Sequence, residues 1–197
     1  GGRAPVVPET IVPEVRFLDL SRTTSEAPQD KGIVLISSRA DGFDVVVVGG
    51  GHAGVEAALA AARMGGRVLM TTLSLDTIAK MPCNPAIGGL AKGQMVREID
   101  ALGGEMAKAI DATGIQFRVL NRTKGRAVRA PRAQADKDDY SRYMRDVCLR
   151  QQGLTVVEDH VVGMLLEGGA IRAVRSRAGT TYPCRAAVIT TGTFLNG

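Results

Sequence analysis

Three groups of residues in this chain have the types and spacing to do chemistry. Gly49, Gly51 and Gly54 stand at G-x-G-x-x-G spacing within the run Gly49-Gly50-Gly51-His52-Ala53-Gly54. That spacing suits a pyrophosphate. The first glycine lets the chain turn sharply, the second lets the backbone approach the phosphates, and the third lets a helix pack close to its strand. Cys83 lies between Pro82 and Asn84-Pro85 and beside glycines, not on an apolar face. A thiolate held there can act as a covalent nucleophile, or the side chain can simply pack against a neighbouring group. No His or acid adjoins it in sequence, so its activation depends on spatial neighbours such as Lys92 or a helix start. The third group is basic. From Ala112 to Ala135 there is no Asp or Glu, while Arg118, Arg122, Lys124, Arg126, Arg129 and Arg132 all fall inside.

The elements around the glycines are the ones such a site needs. Val45 to Val48 is an unbroken apolar run, which suits a strand buried on both faces. An Ala-rich helix follows the turn at once and stops at Gly65-Gly66. Strand, glycine turn and helix in that order give the motif its weight. The helix start aims free N–H groups and its positive dipole end at the anion. His52 inside the turn is expected to act by position, with its backbone facing the phosphates. A second strand is expected over Arg67 to Thr72. An acidic residue at its end usually holds a ribose; here Thr71 or Thr72 stands there, with Asp76 close by in a loop.

Met81 to Lys92 reads MPCNPAIGGLAK, and its two prolines and paired glycines predict an irregular, active-site-type loop. Gln94 to Leu102 has helical spacing. The basic segment, interrupted by Gly and Pro, predicts an irregular loop whose arginines reach phosphates bidentately. A second clear helix is expected from Asp138 to Gln151, with Tyr140, Tyr143, Met144, Val147 and Cys148 forming one apolar stripe. Cys148 is therefore expected in the core, and Cys184 as a structural residue. Leu154 to Glu158 predicts a strand, Val161 to Leu166 and Ala170 to Ser176 a hairpin, and Ala186 to Thr191 a last strand returning to the nucleotide. Together these predict a doubly wound α/β fold with a parallel sheet and an inserted hairpin region. Residues 1–42 hold four of the eight prolines and predict an extension with little structure of its own, save a possible short strand at Ile33 to Ile36.

Composition bounds the rest. With 197 residues and 45% apolar content the chain is long enough for a globular core, and no apolar run is long enough to span a membrane. Three cysteines without metal-type spacing argue against both a disulfide framework and a metal site, and favour a reducing compartment. The net charge is +5, so the six bases of the acid-free run exceed it and the remainder is about neutral. One local basic segment of this kind points to a polyanion: cofactor phosphates, nucleic acid, or both. The first residue is Gly and the last run is Phe194-Leu195-Asn196-Gly197, so both ends are expected to be fragment boundaries.

Six segments then carry a resemblance. Gly49 to Gly54 (GGGHAG), Cys83 to Gly89 (CNPAIGG), Arg97 to Gly104 (REIDALGG), Gly114 to Phe117 (GIQF), Val128 to Asp136 (VRAPRAQAD) and Thr190 to Leu195 (TTGTFL) stand in the order and spacing of the GidA/MnmG family. The chain resembles that family from Phe43 to Gly197. The glycine loop is shared by many flavoproteins; CNPAIGG and VRAPRAQAD are far more specific. Pro82 departs from a common Ser, and Arg126 from a common Pro. The resemblance implies a glutathione-reductase-like FAD fold in an enzyme that adds carboxymethylaminomethyl groups to carbon 5 of the tRNA wobble uridine. It implies FAD, NADH as reductant, methylene-tetrahydrofolate as carbon donor, and glycine or ammonium as amine donor. It also implies a homodimer and a partner GTPase of the MnmE type. It makes Cys83 the catalytic candidate and Gly49, Gly50, Gly51, His52, Ala53, Gly54, Thr72, Val161, Thr191 and Gly192 the cofactor set. Lys92, Arg126, Arg129 and Arg132 become the tRNA candidates. A later cysteine signature and a helical tRNA-binding region of the family are expected beyond this chain; because the family's flavin sites are closed by later segments, the chain alone is expected to bind FAD weakly at most. The cytoplasm is the expected compartment. A mitochondrion or chloroplast is the alternative if residues 1–42 are a targeting remnant, against which Glu9, Glu14, Asp19 and Glu26 argue. Two other functions fit the same residues: a flavin oxidoreductase acting on a small molecule, and a non-catalytic nucleotide-binding fragment.

Overall fold

The computed structural model describes residues 15–19 and 42–192. The expected strand at Ile33 to Ile36 lies outside them. Within the expected extension, Val15–Asp19 form a strand (β1), so that segment is not without regular structure. β2 (Phe43–Val48) leads into the glycine turn, α1 (His52–Arg63) returns along the sheet, and β3 (Val68–Thr72) pairs parallel with β2. The valines of β2 alternate between two cores. Val47 packs in the cluster that holds Val55, Leu59 and Met70. Val46 and Val48 pack in the cluster that holds Leu69, Val161, Val174 and Cys184. This is the physical meaning of an apolar run without alternation: neither face meets water.

Between β3 and the next long helix lies a second layer. It comprises β4 (Ala86–Gly88), α2 (Lys92–Ala101), α3 (Met106–Thr113), β5 (Gly114–Leu120) and β6 (Ala130–Ala135). The three strands form an antiparallel sheet in the order β4-β6-β5. Two expectations are corrected here. The Met81 to Lys92 segment contains a strand, and the basic segment is a strand pair joined by a turn, not an irregular loop. Pro131 is compatible with the middle strand because β4 ends opposite Arg132, and only the Gly89 N–H, bonded to the Pro131 carbonyl at 2.8 Å, lies beyond. Its missing donor therefore breaks no ladder bond. Gly93 of α2 is buried against this strand, and a methyl group there would stand 2.7 Å from the Pro131 carbonyl.

The chain returns to the main sheet through α4 (Lys137–Arg150), capped by the Asp136 side chain, which accepts from the Asp138 and Asp139 N–H groups at 3.0 Å. Tyr140, Met144 and Cys148 are fully buried along the expected stripe. β7 (Leu154–Glu158) adds parallel to β3. β8 (Val161–Glu167) and β9 (Ala170–Ser176) form the expected hairpin, and β10 (Thr181–Ile189) closes the order β1-β8-β9-β10-β2-β3-β7. β10 starts antiparallel to β9 and continues parallel to β2.

The sheet is parallel from β10 to β7, as expected, and α1 and α4 pack into the same core on one face. The expected Rossmann-like α/β fold with a parallel sheet and an inserted hairpin is thus observed, and its described helices α1 and α4 share one face. The crossovers β2-α1-β3 and β3-α4-β7 advance in one direction, and right-handed crossovers in one direction place their helices on one face. Among the described residues no helix is long and apolar enough to cross a membrane.

Candidate functional site

The direction of the sheet reverses at β2, with β3 and β7 on one side and β10 on the other. The carboxyl ends of β2 and β10 therefore flank a switch point, where open α/β sheets bind ligands. Thr190, just past β10, joins the two ends. Its N–H donates to the Val48 carbonyl at 2.8 Å and its hydroxyl to the same carbonyl at 2.9 Å. Gly49 takes φ +112°, and a methyl group there would collide with the Thr190 carbonyl. A methyl at Gly54 would collide with the Gly49 carbonyl, and one at Gly50 would lie 2.8 Å from the Thr72 hydroxyl.

Gly51 differs. Its backbone is ordinary and extended (φ −74°, ψ −178°), and a methyl group there meets nothing within 4 Å. The protein itself has no need of a glycine at this point; the space kept open is a cradle beside the start of α1. No side chain caps that helix start, and no acid lies in its first turn. Open backbone, uncapped N–H groups and a helix dipole fit a pyrophosphate.

The surrounding candidates fall at the same end of the sheet or in its core. Thr191 and the exposed Gly192 follow Thr190 directly. Thr72 is buried and donates its hydroxyl to the Ser74 carbonyl at 3.1 Å. Asp76 is paired with Arg145 at 2.7 Å. The acid at this corner that sequence reasoning missed is Glu158, the register partner of Thr72 across β3 and β7; its carboxylate accepts from the Leu75 N–H at 2.6 Å. The Val161 side chain is core, buried with Val48 and Leu69, and its residue pairs with Ser176 across β8 and β9. His52 is half-buried, edge-on to Tyr140 with centroids 5.8 Å apart. Burial pulls its pKa below the ordinary histidine value against the opposing field of Glu56. The His52 Nδ1 and the Tyr140 hydroxyl are both buried without a partner among the described residues.

Cys83 is the exposed one of three free cysteines. Burial pushes the Cys148 thiol up to about 12 and the Cys184 thiol up to about 11, so neither is a nucleophile at neutral pH. The loop of Cys83 is anchored on both sides. Ala79 donates its N–H to the Gly50 carbonyl at 2.8 Å, and the Pro85 carbonyl accepts from the Ala135 N–H at 2.8 Å. Ile78 and Met81 fix the intervening chain in the main core. The loop therefore bridges the glycine turn and the small sheet.

The cationic candidates lie with the small sheet. Lys92 is exposed at the start of α2, Arg126 in the turn after β5, and Arg132 on β6. Arg129 donates Nε–H to the Arg122 carbonyl at 3.2 Å. Among the described residues no hydrogen bond joins them to the glycine turn. Between this sheet and α2 and α3 is a cavity of about 710 Å³, lined by Val96, Ile110, Phe117 and Val119 and also by Asp100, Asp111, Arg118 and Arg132.

A buried polar knot holds the two layers together, and sequence reasoning missed it. Glu56 of α1 accepts from the backbone N–H groups of Glu105 at 3.0 Å and Met106 at 2.6 Å, so it caps α3 from a distance. Glu105 is itself buried, held by Arg63 and by the Tyr143 hydroxyl at 3.0 Å. Burial alone would raise the Glu105 carboxyl; the Arg63 and Tyr143 hydrogen bonds, with the charges of Arg63 and Lys108, outweigh it and hold the pKa below the ordinary value. The available signal was that Glu56 and Arg63 are the two charged residues of an Ala-rich helix, two turns apart.

Known proteins share these features. Residues 44–197 match the family described as glucose inhibited division protein A. The tRNA uridine 5-carboxymethylaminomethyl modification enzyme MnmG of Aquifex aeolicus is 60% identical over 157 residues, 80% of this chain and 25% of that protein. The enzyme of the same name from Protochlamydia amoebophila is 57% identical over 79% of this chain. The chain thus spans about a quarter of the length of these relatives. The structure of Aquifex aeolicus GidA superposes with a TM-score of 0.77 at 57% identity, covering 80% of this chain and 26% of that one. A probable FAD-dependent monooxygenase of Pseudomonas aeruginosa, PqsL, shares the fold alone, with a TM-score of 0.58 at 18% identity.

Proposed function

The chain belongs to the glucose inhibited division protein A family, and from that premise we propose that it is the FAD-binding part of an enzyme that adds a carboxymethylaminomethyl group to carbon 5 of the tRNA wobble uridine. The observation that carries this is the 60% identity to MnmG, because the aligned share of the chain is long enough to include both the cradle and the arginine-bearing sheet.

Gly49, Gly50, Gly51, His52, Ala53 and Gly54 would hold the FAD pyrophosphate by backbone N–H groups, with Thr72, Val161, Thr191 and Gly192 around the rest of the dinucleotide. FAD, when bound, supplies the redox capacity of the reaction. The chain's own chemical group is the Cys83 thiolate. It adds to carbon six of the uracil and moves the C5–C6 electron pair to carbon five, which forms the new bond to the one-carbon unit; loss of the carbon-five proton then restores the double bond and expels the thiolate. Lys92, Arg126, Arg129 and Arg132 would pair with tRNA phosphates. NADH as reductant, methylene-tetrahydrofolate as carbon donor, glycine or ammonium as amine donor, a homodimer and an MnmE-type GTPase complete the reading on family resemblance. The reducing cytoplasm is the compartment it favours, with mitochondrion or chloroplast as the alternative.

The test is a tRNA titration of the full-length protein at several salt concentrations, with and without charge reversal at Arg129 and Arg132. The logarithmic salt slope should flatten, because fewer counterions are released, and the melting temperature should hold. An unchanged slope with a lowered melting temperature would assign both arginines to structure. Absence of tRNA binding in the parent would favour a flavin oxidoreductase acting on a small molecule.

A further inference from the structure

The register of β5 and β6 sets four polar side chains into a small array. Gln116 lies directly opposite Gln134, and Arg118 directly opposite Arg132, so all four share one face of the sheet. All four are exposed. The intervening Phe117 and Val119 alternate to the other face; the cavity beside α2 and α3 is lined by them and also by Arg118, Arg132, Asp100 and Asp111, so the two arginines stand at its edge. On β4 the residues alongside are Ala86 next to Gln134 and Gly88 next to Arg132, neither large enough to cover the array.

Two like charges directly across a strand pair are unfavourable. Arg118 and Arg132 are in that position, and among the described residues neither has a carboxylate partner. Nor does their own 24-residue acid-free segment supply one. The fold thus keeps a repulsion that a bound anion relieves. The glutamines beside it offer both donors and acceptors, the complement of an unstacked base edge. The array spans about 7 Å along the strands and about 5 Å across them. It ends where Ala135 bonds Pro85, two residues from Cys83.

We propose that this outer face of the small sheet is the platform for the single-stranded RNA flanking the reacting base, with Arg118 and Arg132 on phosphates and Gln116 and Gln134 on base edges. The proposal rests on the tRNA reading above and adds three residues to it, Gln116, Arg118 and Gln134. It differs from the Arg126 and Arg129 contacts, which belong to the turn at the opposite end of β6.

The experiment uses the full-length protein with FAD, titrated with an anticodon stem-loop at several salt concentrations. Arg118→Ala with Arg132→Ala should weaken binding at least tenfold and flatten the logarithmic salt slope by about 1.4, two single-strand phosphates' worth. Arg118→Lys with Arg132→Lys should keep most of the slope. Gln116→Ala with Gln134→Ala should weaken binding severalfold at an unchanged slope. FAD content and melting temperature should match the parent throughout. The proposal is overturned if the double alanine variant keeps the parent slope, or if its loss of binding merely follows a loss of FAD or melting temperature. A parent that binds no RNA overturns the tRNA reading together with it.

Discussion

The glycine turn and the small sheet are built on opposite principles. The turn works by the side chains it lacks: Gly49 and Gly54 are required by the fold's own carbonyls, and Gly51 keeps space for something else. The small sheet works by the side chains it shows, and its backbone is an ordinary antiparallel ladder. Damage to the first should be all-or-none, since a carbonyl cannot move aside. Damage to the second should be graded, since long arginine and glutamine side chains contribute separately.

The largest effect should come from Gly54→Val. It places a side chain on the Gly49 carbonyl, and we expect loss of folded protein, more than about 4 kcal/mol, seen as absent soluble expression or a collapsed thermal melt. Gly51→Val is the sharper variant. The free protein has room for it, so the melting temperature without cofactor should stay near the parent's, while FAD retention falls below detection by flavin absorbance. Equal flavin content in the full-length parent and variant would remove the contrast between these two glycines, and with it the pyrophosphate assignment.

Cys83 lies between the two regions. Cys83→Ser in the full-length protein should keep FAD and tRNA binding and lose about a hundredfold or more in turnover, because a serine hydroxyl ionises far less readily than a thiol. Parental turnover would leave Cys83 as a packing residue.

The smallest effect concerns the knot that joins the two layers. The folded-state pKa of Glu105 lies below its unfolded value, so its stabilisation is present above the ordinary carboxylate pKa and is lost as pH falls through the depressed value. Glu105→Gln should cost about 1–3 kcal/mol at neutral pH and flatten the acid limb of a melting-temperature profile. A parallel acid limb in parent and variant would show that other carboxylates set it.

The turn was legible because its requirement is local: a glycine spacing, an apolar strand before it and a helix after it are all visible in one line of sequence. The same holds for α4, where Tyr140, Met144 and Cys148 recur at the helical period and are all buried. The small sheet was hidden because Gly125 and Pro131 carry the composition of a loop while lying at a turn and beyond the end of a neighbouring strand, and only pairing reveals that. The pairing of Arg118 with Arg132 and the capping of α3 by Glu56, 49 residues from the N–H of Glu105, exist in no local pattern.

The hydroxyl of Thr190 reaches back 141 residues to the carbonyl of Gly49. During synthesis the glycine turn must therefore emerge long before the strand that backs it. At about 5–20 residues per second the delay is about 7–28 s. β3 covers one side of β2 early, but the other edge of Val45–Val48 stays unpaired for that interval, four valines with free backbone groups. The strand that leads into the glycine turn is then also an open edge of the nascent chain, and β10 covers both at once.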